Sequence, residues 1–183
     1  MSEKLFVSQS APTLAGIKTG NLFTAEFADS KIATKEIRKL NILLTPKGVR
    51  VIPLKETQNR ILIYVYRPHF LQMDFINKQL LEILENLKYP VSNLERCIVF
   101  LVHRLNESEV FPHEIGLFLG YPPEDVKGFI ENKAQNYKTV GTWKVYGDEI
   151  KAQEQFQRFQ VCTADYCKKI DSGISLDELA VAL

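Results

Sequence analysis

The run Arg60-Ile-Leu-Ile-Tyr-Val-Tyr66 constrains the fold most, because β-branched and aromatic residues occupy both of its alternating faces. A strand apolar on both sides is stable only when both sides are covered, so this segment predicts a central strand inside a layered domain. Upstream, Leu40–Thr45 and Val49–Leu54 are β-prone and flank Pro46-Lys47-Gly48, where Pro and Gly suit the second and fourth positions of a type I turn. A hairpin is expected there. The preceding segment, Ala11 to Phe23, holds two glycines and small polar residues and reads as a turn-rich lead-in, followed by a loop at Ala28-Asp-Ser30.

After Pro68 the period becomes helical. Asp74 is placed to cap a helix carrying Ile76, Leu80, Ile83, Leu84 and Leu87, and Ser92-Asn-Leu-Glu95 has the form of a capping box for a second helix. Pro112 and Pro123 suit first helical positions, predicting short helices over His113–Leu119 and Glu124–Lys133. Thr142–Tyr146 reads as one more strand. Asp148 then caps the longest helix, whose stripe Ala152, Phe156, Phe159, Thr163, Tyr166 and Ile170 ends at Ser172-Gly173. Ser175-Leu-Asp-Glu178 repeats the capping-box signal. Together these predict an α+β fold: a small, mostly antiparallel sheet from Leu40 to Tyr66, joined by Thr142–Tyr146 and packed against a C-terminal helical layer. A single domain over residues 1–183 is expected.

With 183 residues, 45% of them hydrophobic and 25% charged, the chain can bury a substantial core, which excludes collagen-like, low-complexity and largely disordered classes. No apolar run approaches the roughly 20 residues needed to span a bilayer. The N-terminal residues lack a signal-peptide pattern, so a cytoplasmic location is expected. Cys97, Cys162 and Cys167 are too few and scattered for a disulfide framework. Charge is uneven: residues 1–72 hold 11 basic and 5 acidic residues, and residues 73–183 hold 12 and 17. Lys31, Lys35, Arg38 and Lys39 share a face if their segment is helical, and such a stripe suits an acidic partner, a phosphate, or solvent.

The strongest local pattern runs from Pro112 to Glu131, where Ile115-Gly116, Leu119-Gly120-Tyr121, Val126 and Phe129 have the spacing of a helix-turn-helix. As a DNA reader it is poor, since its second helix offers Glu124, Asp125 and Glu131 where Arg, Lys, Asn or Gln are needed. His113-Glu114 opens this pair and has the chemistry of a haem ligand, a metal ligand or a general base. His69, His103 and His113 show no zinc spacing. Thr13, Lys18 and Asn21 lie in a glycine-containing segment with the ingredients, though not the spacing, of an anion-cradling loop. The only tryptophan, Trp143, sits on a short strand between Gly141 and Gly147, able to line a pocket or to pack.

Three blocks, Ala11-Pro-Thr-Leu-Ala-Gly16, Phe111-Pro-His-Glu-Ile-Gly-Leu-Phe-Leu-Gly-Tyr-Pro122 and Gly141 with Trp143-Lys-Val-Tyr146, resemble a bacterial family of unknown function typical of anaerobic Firmicutes. The resemblance spans nearly the whole chain and implies no catalytic residues. It does imply that relatives often carry Cys where this chain has Ser10, and a genomic setting near flavodoxin-like and iron-uptake functions. From it follows the expectation of an accessory protein in anaerobic iron, haem or flavodoxin-linked metabolism. Haem or flavin would be the cofactor, and a flavodoxin-like acidic protein or an anionic small molecule the partner. Its ligand is expected between the Ala11–Phe23 segment and the His113-Glu114 helix start, touching Thr13, Lys18, Asn21, His113, Glu114 and Trp143. Two alternatives stand: a small enzyme using His113 as acid or base with Glu114 or Lys18, and a degenerate helix-turn-helix regulator.

Overall fold

The computed structural model describes residues 1–108 and 110–183 and divides them into two compact units, Met1–Phe70 with Phe159–Leu183, and Leu71–Arg158. The fold is α+β.

In the first unit, α1 (Glu3–Leu14) starts at Ser2, whose hydroxyl accepts from the Leu5 amide, and it buries Phe6, Val7, Ala11 and Leu14. This corrects the turn-rich lead-in: Val7, Ala11 and Leu14 already have helical spacing, and the helix runs through Pro12 at the loss of that residue's own i→i−4 hydrogen bond. The segment then enters β1 (Gly20–Glu26).

The predicted strand Leu40–Thr45 is also corrected. Residues 30–44 form α2 (Ser30–Leu44), capped by Asp29, and a 3-10 turn over Thr45–Lys47 leads into β2 (Arg50–Thr57). Ala33, Ile37 and Leu44 lie buried on one face, a helical spacing that outweighs the β propensity of the last five residues. Asn41 on α2 then treats Val51 as a neighbouring strand would. Its Oδ1 accepts from the Val51 amide at 2.9 Å and its Nδ2 donates to the Val51 carbonyl at 2.7 Å.

The run identified first is β3 (Arg60–Tyr66), and it is central: the antiparallel sheet has the order β1-β3-β2. Ile61, Ile63 and Val65 face a core shared with α1 and α2, while Tyr64 and Tyr66, stacked at 4.6 Å, are buried on the other face. Immediately after β3, Arg67 is 2% exposed. Its guanidinium donates to the carbonyls of Thr13 (2.7 Å), Leu14 (2.8 Å), Lys47 (3.0 Å) and Val181 (2.8 Å). One side chain thus ties the end of β3 to three other backbone segments.

After α3 (Pro68–Asp74) the second unit continues with α4 (Lys78–Asn86) and α5 (Leu94–Glu107). Both caps differ from expectation. Asp74 ends α3, and Asn77 caps α4 by accepting from the Gln79 and Leu80 amides, which leaves Ile76 exposed. Asn93, not Ser92, caps α5 through the Arg96 amide.

Next come α6 (Ile115–Phe118) and α7 (Pro123–Glu131), shorter than predicted, then β4 (Thr139–Val140) and β5 (Lys144–Val145). Among the described residues the last two pair only with each other, so Thr142–Tyr146 does not join the main sheet. Asp148 opens α8 (Glu149–Asp171) by accepting from the Ile150 and Lys151 amides. The Ser175–Glu178 capping box starts α9 (Leu176–Leu179), as expected. Among the described residues, no helix is long and apolar enough to cross a membrane.

Candidate functional site

The second unit contains a cleft of about 320 Å³ between the α6–α7 pair and the β4–β5 hairpin. The spacing read as a helix-turn-helix builds its wall. Gly120, at φ +75°, makes the turn between the helices. Gly116 lets them close: a Cβ there would stand 2.9 Å from Val126 Cγ2 and 3.0 Å from Tyr121 Cδ2. With α6 only four residues long, the pair is a corner in the fold.

Opposite stands the hairpin, held by a buried carboxylate. Asp125 Oδ2 accepts from Trp143 Nε1 at 2.7 Å, and Oδ1 accepts from the Tyr146 and Gly147 amides, each at 2.7 Å. Three N–H donors replace the water that burial removed from this charge. Trp143 is thereby fixed against Tyr121, which stacks on it at 4.8 Å, and against Phe156, edge-on at 4.5 Å. Burial pushes the Tyr121 hydroxyl up to about 12, so it remains a neutral phenol.

Phe129 forms another part of the lining. The His113 ring packs edge-on against it at 4.8 Å, and the Lys144 ammonium stands 5.8 Å from its centroid and 4.6 Å from that of Tyr137. His113 is exposed, and among the described residues its ring nitrogens make no hydrogen bond. Phe111 and Val140, both exposed, also line the cleft. The result is an aromatic slot with an imidazole and an ammonium, a lining typical of small-molecule sites.

The family described as "Protein of unknown function (DUF3793)" matches residues 6–180. The chain belongs to this family. No curated protein and no solved structure matches this DUF3793 chain.

In this DUF3793 fold the six residues singled out in the sequence fall into two groups. His113 and Trp143 line the cleft of the second unit. Glu114, adjacent in sequence, is instead buried: its Oε1 accepts from the Tyr89 hydroxyl at 2.9 Å and lies 2.7 Å from Arg104 Nε. The Arg104 N–H is out of line for a hydrogen bond, so this contact is an ion pair. Burial, reinforced by the Glu114 charge, raises the Tyr89 phenol well above its usual range.

Thr13, Lys18 and Asn21 belong to the first unit, and Thr13 lies on a helix rather than in an anion-cradling loop. Thr13 Oγ1 donates to Asn21 Oδ1 at 2.7 Å, and Lys18 is buried with its ammonium 5.8 Å from the Phe159 centroid. Desolvation pushes Lys18 down to about 7. Ser10 is buried too, its hydroxyl donating to the Phe6 carbonyl at 2.6 Å.

Sequence reasoning did not single out Tyr121, Asp125, Phe129 or Lys144 as site residues. A usable signal existed for two of them: Asp125 is a carboxylate beside the apolar Val126 of the helix pair, and Lys144 follows the only tryptophan. Among the described residues no three His, Cys, Asp or Glu side chains come together as a metal-binding set.

Proposed function

We propose that the protein is a binding or accessory protein whose aromatic cleft in the second unit takes a planar conjugated small molecule. Haem and flavin are the first candidates, in keeping with iron-, haem- or flavodoxin-linked metabolism. The observation that carries this reading is the immobilised slot itself: Trp143, locked by Asp125 and stacked with Tyr121, shares the cleft with Phe129 and the open imidazole of His113. Flat faces fixed in advance favour a flat ligand, because little side-chain freedom is lost on binding. His113 offers a free nitrogen to a ring edge or, for haem, to the iron. Catalysis by a His113–Glu114 pair is disfavoured, since Glu114 serves Tyr89 and Arg104.

Trp143 is the sole tryptophan, so intrinsic fluorescence reports on this cleft directly. Titration with riboflavin and with haem is expected to quench it saturably for at least one of them. Phe129→Ala should weaken that binding at least tenfold. Purely linear quenching by both, unchanged in the variant, would overturn the proposal.

A second reading, an acidic protein partner, is favoured by a different observation. Lys31, Lys35, Arg38 and Lys39 are exposed on α2 and form no ion pair among the described residues. Glu36, beside them, is engaged by the amino group of Met1 at 2.6 Å. Salt-sensitive binding of a fluorescent polyglutamate peptide, lost in the double variant Lys35→Glu/Arg38→Glu, is the expected result. Equal binding by the variant would dismiss it.

A further inference from the structure

We infer that the ligand of the aromatic cleft is an anion: a planar conjugated ring carrying a carboxylate or phosphate, received by Lys144 and His113 beside Phe129. This rests on the cleft being a ligand site and adds the ligand's charge.

Asp125 is the acidic residue among the described residues that line the cleft, and its acceptor capacity is used within the protein. Both of its oxygens accept hydrogen bonds from the Trp143 indole and the Tyr146 and Gly147 amides. A carboxylate so engaged keeps its charge but has its acceptor sites taken up by the protein's own N–H groups, so it offers little to the donors of a ligand. What remains presented to the cleft is donor chemistry. Lys144 Nζ uses one of its three N–H groups on the Ala134 carbonyl, at 2.8 Å, and is held over the Tyr137 face at 4.6 Å. The ammonium is therefore placed before any ligand arrives, with two donors left to give. The ring of His113, against the same Phe129, supplies an N–H of its own. Both donors stand against Phe129, so a ring packed on that side chain would bring an acidic appendage within their reach.

The shared chemistry, a flat ring with an acidic appendage, is met by a flavin phosphate and by haem propionates. Two pairs of probes separate ring from charge: FMN against riboflavin, and haem against haem dimethyl ester. Each is titrated into the full-length protein while Trp143 fluorescence is followed. The acidic member of at least one pair is expected to bind at least tenfold tighter than its neutral counterpart. Lys144→Met should reduce the preference for the acidic member of the pair to within about twofold of its neutral counterpart, with the near-ultraviolet circular dichroism of the variant showing that it is folded. Lys144→Arg should keep most of the preference. Equal binding within both pairs, or a preference that survives Lys144→Met, overturns the inference while leaving the cleft as a site for neutral rings. Saturable binding by none of the four removes the ligand site and this inference with it.

Discussion

Trp143 Nε1 and Asp125 Oδ2 are 2.7 Å apart, and this bond between two buried side chains fastens the β4–β5 hairpin to α7. The hairpin itself has only two paired residues in each strand, too few for independent stability. Its position depends on contacts with its neighbours, and Asp125 supplies three of them.

Asp125→Ala is therefore expected to cost about 3 kcal/mol, because it leaves three N–H groups without their acceptor in a largely dry environment. Trp143 emission should shift to the red as the indole gains water. Urea unfolding with emission spectra of the native state checks both. A loss below about 1 kcal/mol with unshifted emission would contradict the role assigned to Asp125.

Gly141 is exposed, yet a Cβ there would stand 2.2 Å from Phe156 Cδ2. Gly141→Ala should push Phe156 away from Trp143 and destabilise the protein by about 1–3 kcal/mol, the usual range for overpacking. Near-ultraviolet circular dichroism, which senses the Trp143–Phe156 pair, is the measurement to make. An unchanged aromatic spectrum would count against this packing.

In the first unit, Arg67 donates to four carbonyls on three separate segments. Arg67→Met keeps much of the buried stem and removes every donor, so a loss of about 3 kcal/mol or more is expected. Lys at the same position should rescue little, since it cannot present the planar fork. Thermal denaturation of the two variants compares them.

Lys18 makes stability depend on pH. Burial lowers its pKa to about 7 in the fold, against 10.5 in the unfolded chain. Between those values the unfolded state binds more protons, so stability rises with pH from about 7 towards 10.5. The slope approaches about 1.4 kcal/mol per pH unit for one full proton. Lys18→Met should flatten this slope and stabilise the protein at pH 7 and below. Denaturant titrations at several pH values decide the matter, and a wild-type slope retained in the variant would exclude Lys18 as its source.

The cysteines should differ in reactivity. Burial pushes Cys97 up to about 11, and its thiol donates to the Pro90 carbonyl at 3.3 Å. Cys162 and Cys167 are only half-buried. Iodoacetamide labelling of the native protein, followed by peptide mass spectrometry, should modify those two well before Cys97.

Where neighbouring residues decide a conformation, the amino-acid sequence determined it: β3 as a central strand, Asp148 and Ser175 as caps, the Pro-flanked turn at Gly120, and the core stripe of α8. Each follows from a period or a cap that a few adjacent residues supply. The same local cues misled at Leu40–Thr45, which is β-prone by composition. There the sheet's demand for a covering helix and the Asn41–Val51 bonds prevail, and a bond between helix and strand leaves no trace in local propensity. Thr13 and the 111–122 block were visible as unusual segments, but whether a side chain lines a cleft or satisfies its own neighbour depends on what lies opposite. His113 meets Phe129 at the cleft while Glu114, one residue on, turns to Tyr89 and Arg104. Adjacent positions point in different directions, and only the tertiary structure decides which direction holds space for a ligand.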